Sequence, residues 1–273
     1  MSTASAVNPA REKSYAAGLA RAFGGALIFA FPLLMTMEMW AFGAAMEPAR
    51  LIALVLFLLP LIYGLSDFAG FNAERGWRHD LPNTLSALAV GFVTSAALLG
   101  LFGLLGPEVG FNEAVGRVTI QAVPAAMGAT LARRQLSNAD VGDEDRASYF
   151  GELFLMAAGA VVLAFNVAPT EEVILIAWQT ATWQLLLLAL GSIALLHLLV
   201  FSVGFAGQED AIHPGTAVFR FTVVGYAIAL VVSLFVLWVF GRTDGLSATM
   251  TVATAVVLAF PASLGAAVAR LLV

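Results

Sequence analysis

Apolar residues in this chain run in long stretches separated by short polar turns, and they do not alternate with the period of two that a half-buried strand would show. Backbone amides find no water inside hydrocarbon, so a bilayer core requires about 20 mainly apolar residues per helix. Eight stretches meet that length, at 22–46, 50–71, 82–105, 114–133, 150–178, 182–205, 216–241 and 246–272. Barrel strands would be shorter segments of alternating polarity. The pattern therefore predicts an all-α, polytopic membrane protein with eight transmembrane helices.

The stretches also resemble one another in order. Displacing the sequence by 134 residues pairs Gly25, Ala26, Ala30, Phe31, Thr36 and Glu38 with Gly159, Ala160, Ala164, Phe165, Thr170 and Glu172, and the match runs without a gap to Gly70-Phe71 and Gly204-Phe205. Leucine and alanine coincidences are cheap in such a composition; the matched glutamates, threonines and glycines carry more weight. After a three-residue insertion, Pro124-Ala125 and Gly128-Ala129 meet Pro261-Ala262 and Gly265-Ala266. This predicts a tail at 1–21, a first four-helix repeat at 22–133, an acidic linker at 134–149 and a second four-helix repeat at 150–273. Four is even, so both repeats cross the membrane in the same direction, an arrangement that suits a pore or a carrier with rocking halves.

Composition narrows the partners. The 273 residues are 60% hydrophobic and 11% charged, and the net charge of −5 leaves no basic face for nucleic acid. With no cysteine, disulfides, thiolate metal sites and thiol nucleophiles are excluded. Ten of the thirteen basic residues fall on the N-terminal tail and the even-numbered helix ends, against Arg50, Arg117 and Arg242 on the other side. The bias predicts that both termini are cytoplasmic. A signal-peptide reading of the N-terminus fails because the first apolar run is of full membrane length and has an internal copy.

The candidate chemistry lies in acids that the membrane should disfavour. A carboxylate in the middle of a transmembrane helix costs about 3 kcal/mol on insertion scales, and such residues are functional by default. Glu38 and Glu172 recur at one depth, predicted to be the outer third of the bilayer, each inside an unbroken helix kinked at Pro32 or Pro169. They are the predicted ligands or selectivity groups for a labile hard cation such as calcium or sodium; the bland reading is a glutamate that snorkels to headgroups. Thr36 and Thr170, two residues earlier, point to another face and are expected to bond backbone carbonyls. Asp67 is a possible inner-mouth contact, His79 and His213 possible pH-sensing residues, and Pro124 and Pro261 possible sources of free carbonyls along a pathway. His197 reads as an interhelical hydrogen-bonding residue. The linker acids Asp140, Asp143, Glu144 and Asp145 lack the spacing of a calcium loop. No nucleotide, hydrolase or metalloprotease signature occurs, so no enzyme and no resident cofactor is predicted.

The FPLLMTMEMW stretch at 31–40, set among eight apolar spans, resembles a bacterial family of integral membrane proteins of uncharacterised function. In looser pattern, the glutamate near the end of a first helix is similar to that of store-operated calcium channel subunits. That resemblance implies a homo-oligomer around one pore and a protein that contacts only bilayer, inorganic cation and further copies of itself. The leading expectation is a cation-selective channel of the bacterial inner membrane; a carrier or cation exchanger with alternating halves, and a non-transporting membrane scaffold, are the alternatives.

Overall fold

A computed structural model describes residues 9–68, 77–135, 149–202 and 218–271. Every element among them is helical: α1 (Pro9–Leu34), α2 (Met37–Ala45), α3 (Pro48–Phe68), α4 (Trp77–Leu101), α5 (Phe111–Gln135), α6 (Tyr149–Val167), α7 (Glu172–Gln179), α8 (Thr182–Ser202), a π-helical turn (Val218–Val223) leading into α9 (Val224–Val239), and α10 (Ala248–Leu271). Seven of these, α1, α3, α4, α6, α8, α10 and α9 taken with its π-helical turn, contain a segment long and apolar enough to cross a membrane.

The eighth expected span, 114–133, forms α5 but is not apolar enough to count, because Glu113, Arg117, Thr119, Gln121, Thr130, Arg133 and Arg134 dilute it. Its polarity is nevertheless hidden: every residue from Thr119 to Thr130 is buried. Helix α5 is the post around which α1, α2, α3 and α4 pack, and α10 serves α6, α7, α8 and α9 in the same way.

Lipid tails are as apolar as leucine, so these helices associate by close packing, not by expelling water. Glycine sets the approach. A Cβ on Gly25 would lie 2.2 Å from the Gly128 carbonyl oxygen, and one on Gly159 would lie 2.1 Å from that of Gly265. The α1–α5 and α6–α10 contacts thus use glycines at matched positions. Helices α3 and α8 begin and end 134 residues apart, at Pro48 and Thr182 and at Phe68 and Ser202.

Two corrections concern the segments around the acids. The helices expected to run unbroken through 22–46 and 150–178 are each interrupted, at Met35–Thr36 and at 168–171. Apolarity across a break does not reveal it, because a short turn inside a bundle needs no polar side chains if its own groups satisfy the backbone. Nor does Pro32 kink a longer helix at this point; it lies inside the last turn of α1, and Pro169 lies within the second break.

Candidate functional site

The two breaks are built alike. At the first, the Thr36 backbone N–H and hydroxyl both donate to the Leu33 carbonyl, at 3.1 and 2.8 Å. At the second, Thr170 donates twice to Val167, at 3.1 and 2.9 Å. In each case the threonine stays on a carbonyl at the end of the preceding helix, which is the backbone role expected for it. The chain then restarts as a helix of nine or eight residues with the acid in its first turn. Met39 and Gly43 are the buried residues of α2, and Val173 and Ala177, displaced by 134, are those of α7.

The breaks change where Glu38 sits. The Gln121 side-chain amide donates to the Ala30 carbonyl at 2.5 Å, fixing α1 against α5. Had α1 continued straight, Gly43 would stand about 20 Å beyond Ala30 at 1.5 Å per residue. Instead a Cβ on Gly43 would meet the Arg117 backbone at 2.5 Å, and Arg117 is only about 6 Å along α5 from Gln121. Helix α2 therefore folds over and lies across the end of the bundle farthest from the N-terminus, here called the distal end. Glu38 belongs to this crossing helix, not to the interior of a membrane-normal one.

On α2, Glu38 and Phe42 are four residues apart and share a face. That face turns toward the later helices: the Phe42 ring lies 5.6 Å from that of Phe240, which in turn lies 4.9 Å from Phe165. The Arg242 guanidinium sits 4.6 Å over Phe42. The same group donates through Nε to the Pro169 carbonyl at 3.1 Å, with its terminal nitrogen on the same oxygen, and lies 3.6 Å from the Glu171 carboxylate. With a side chain only 12% exposed, Arg242 bridges α2 to the break between α6 and α7. The guanidinium is thus paired with Glu171 and acts on the charge of Glu172, while Glu38 stands in the first turn of α2, the other segment it joins.

Their burial differs. Glu38 is half-buried, whereas Glu171 and Glu172 are exposed. The Glu172 carboxyl is held below its ordinary range chiefly by its own backbone N–H, and the charge of Arg242 adds to this. It is therefore ionised at neutral pH.

Two further arginines line the distal end. Arg50 of α3 donates through Nη2 to both carboxylate oxygens of Asp244, at 2.7 and 2.8 Å, and lies 5.6 Å over Trp238. Arg117 pairs with Glu113 and the Leu104 carbonyl and lies 5.6 Å over Trp40. Sequence reasoning entered all three arginines only in a charge count and missed Arg242 as part of the site. The one available signal was an arginine in a Phe-Gly-Arg-Thr-Asp-Gly turn after an apolar helix.

The other predicted residues are not brought to this place. Pro124 and Pro261 lie inside the continuous helices α5 and α10, four residues before the glycines at which those helices touch α1 and α6. The Asp67 backbone falls in the last turn of α3 and that of His79 in the first turn of α4; His213 and the linker acids Asp140, Asp143, Glu144 and Asp145 lie outside the described residues. His197 Nδ1 is 3.0 Å from the Thr222 hydroxyl oxygen, linking α8 to the π-helical turn.

Between the two helix groups, α3 packs on α6 and α9. The rings of Phe57 and Phe235 approach to 4.5 Å, and the Phe154 ring occupies the place a Cβ on Gly64 would need. A groove of about 440 Å³ opens along this seam and is lined only by apolar residues, Phe57, Pro60 and Leu61 facing Phe154, Val224 and Ile228 among them.

Comparisons with curated proteins and with solved structures return no match. The model of the family described as "Putative integral membrane protein (DUF2391)" matches residues 18–273. With seven helices able to span a bilayer and a family match over nearly its whole length, the chain belongs to this family of integral membrane proteins.

Proposed function

We propose that the protein translocates cations across a bacterial inner membrane, with Glu38 and Glu172 as the ligands of a labile hard cation at the outer face. The observation that carries the reading is the recurrence of one device: a broken helix, a threonine held on the preceding helix end, and an acid two residues later, found in α1–α2 and again in α6–α7. Interrupted helices at corresponding positions of two halves are the usual place for an ion site in a membrane carrier. An acid in the first turn after each break favours a cation over an anion.

The halves are read as parallel repeats of a duplicated unit, 22–133 and 150–273, each with four crossings, α5 being the fourth of the first. Support comes from the matched glycine contacts, the matched bounds of α3 and α8, and the equal roles of α5 and α10. The arginine distribution along the chain supports cytoplasmic termini and a distal end on the outer side.

An apolar seam favours a carrier within one chain: its halves are tied at the distal end by Arg50–Asp244 and Arg242–Phe42, which would have to part on opening. A cation channel, with the acids of several copies around one axis, is the second reading and draws on the shape of that seam. The proposal assigns the protein no covalent chemistry and no resident cofactor.

Proteoliposomes loaded with sodium or calcium test it. Wild-type protein is expected to carry counterflow that saturates, and Glu38→Gln with Glu172→Gln to abolish it. Undiminished flux in the double variant would refute the assignment, and unitary current steps would move the mechanism from carrier to channel.

A further inference from the structure

The seam between the halves is head-to-tail. In it, α3 of the first group packs on α6 and α9 of the second. By the displacement that relates the groups, the counterpart of α3 is α8, and the counterparts of α6 and α9 are α1 and α4. A closed two-fold pair would also pack α8 on α1 and α4. It does not: α8 packs on α9, α10 and the π-helical turn. One copy of the seam is thus used, while the surfaces equivalent to its two sides remain exposed.

The open surfaces can be named residue by residue. The seam residues Phe57, Pro60 and Gly64 correspond to Gly191, Ala194 and Leu198 of α8, all three exposed, Leu198 by 58%. On the other flank, Phe154, Val231 and Phe235 correspond to Ala20, Ala97 and Leu101, again all exposed, Leu101 by 82%. The sizes are complementary in reverse. Where the Phe154 ring enters the space of Gly64, Leu198 would face Ala20. Where Phe57 and Phe235 stack, Leu101 would face Gly191, at which a Cβ would meet nothing within 4 Å. Knobs facing small residues are how transmembrane helices pack in lipid.

We infer that the α8 face of one copy receives the α1–α4 face of a second copy, repeating the internal seam between molecules. Head-to-tail contacts propagate within the plane of the bilayer, and the copies close into a ring where the rotation from one copy to the next divides the circle. The inference rests on the parallel-repeat part of the proposed function, since only halves that cross the membrane in the same direction can repeat one seam. It does not depend on cation transport.

The absence of native cysteine makes the test clean. Chains carrying Ala20→Cys and chains carrying Leu198→Cys are co-expressed and oxidised in native membranes. A disulfide dimer is expected from the mixture and from neither variant alone, and the chain carrying both substitutions should give a ladder of higher species. Leu101→Cys with Gly191→Cys provides a second pair should the first misfold. Self-crosslinking of the Leu198→Cys chain above the mixed product would mean a two-fold dimer and overturn the inference. So would wild-type protein with the mass of one chain in lipid nanodiscs, or the lack of mixed product from both pairs. Any of these results could stand beside intact cation flux, so failure here is distinguishable from failure of the transport reading.

Discussion

The Arg242 guanidinium holds a carbonyl that the break before α7 leaves without a helical partner, and it does so against the ring of a residue from α2. Pro169 is buried, so removing the donor leaves its oxygen unsatisfied, at a cost of about 1–3 kcal/mol. Arg242→Ala is therefore expected to lower the unfolding temperature in detergent, and Arg242→Lys to recover only part, because an ammonium can reach the oxygen but cannot donate through two nitrogens while stacking on Phe42. An unchanged unfolding temperature in the alanine variant would show that water serves Pro169 equally well. Glu172 supplies a prediction in pH. A carboxyl with a depressed folded pKa contributes its ionised interactions above the unfolded value, near 4.3, and loses them as pH falls through the lower folded one. Any cation binding that depends on Glu172 should thus be flat across neutral pH and decline only below the ordinary carboxylate range, as a binding titration would report. The recurrence of Thr36 and Thr170 and their carbonyl bonds were legible in the sequence, because a hydroxyl in an apolar run has few other partners. Arg242 was not legible: its partners are a backbone oxygen and a ring brought from 200 residues away.

Among the elements, the helix pairs α1–α5 and α6–α10 depend on glycines with no room for a methyl group. Gly128→Ala and Gly265→Ala are each expected to destabilise by about 1–3 kcal/mol through overpacking. Gly100, at which a Cβ would meet nothing within 4 Å, is the control; Gly100→Ala should be neutral or stabilise by up to about 1 kcal/mol through lost unfolded-state freedom. Denaturant titration in mild detergent compares them, and equal effects at the three sites would contradict the packing described. The breaks themselves escaped a reading by hydropathy, since Met35 and Met37 keep the run apolar across the turn. Helix α5 misled in the opposite sense. Its charged ends and buried amide lower its apolarity, yet it is the most enclosed helix of its group because its polar atoms bond inward, Gln121 to Ala30 and Thr130 to Ala126.

In the whole molecule, the two groups of helices meet through α3 and are tied at the distal end by Arg50–Asp244. Asp244 is 59% exposed, so that pair is screened and its coupling should be modest, about 0.5–1 kcal/mol in a double-mutant cycle with Arg50→Ala and Asp244→Ala. Its proposed importance is mechanical: if the halves part during transport, breaking the pair should speed turnover even where stability hardly changes. The displacement of 134 residues was readable before any coordinates, and the structure repeats it in the bounds of α3 and α8 and in the buried residues of the short helices. What it could not supply was the direction of α2, because a helix that folds across the bundle end has the same apolar period as one that continues through it. The account turns on one cation shared by two carboxylates, and equilibrium binding of sodium or calcium to purified protein in nanodiscs tests this most directly. Glu38→Gln and Glu172→Gln are each expected to weaken binding at least tenfold, and the double variant to be hardly weaker than either. Independent, additive losses, or binding unaltered in both single variants, would contradict it.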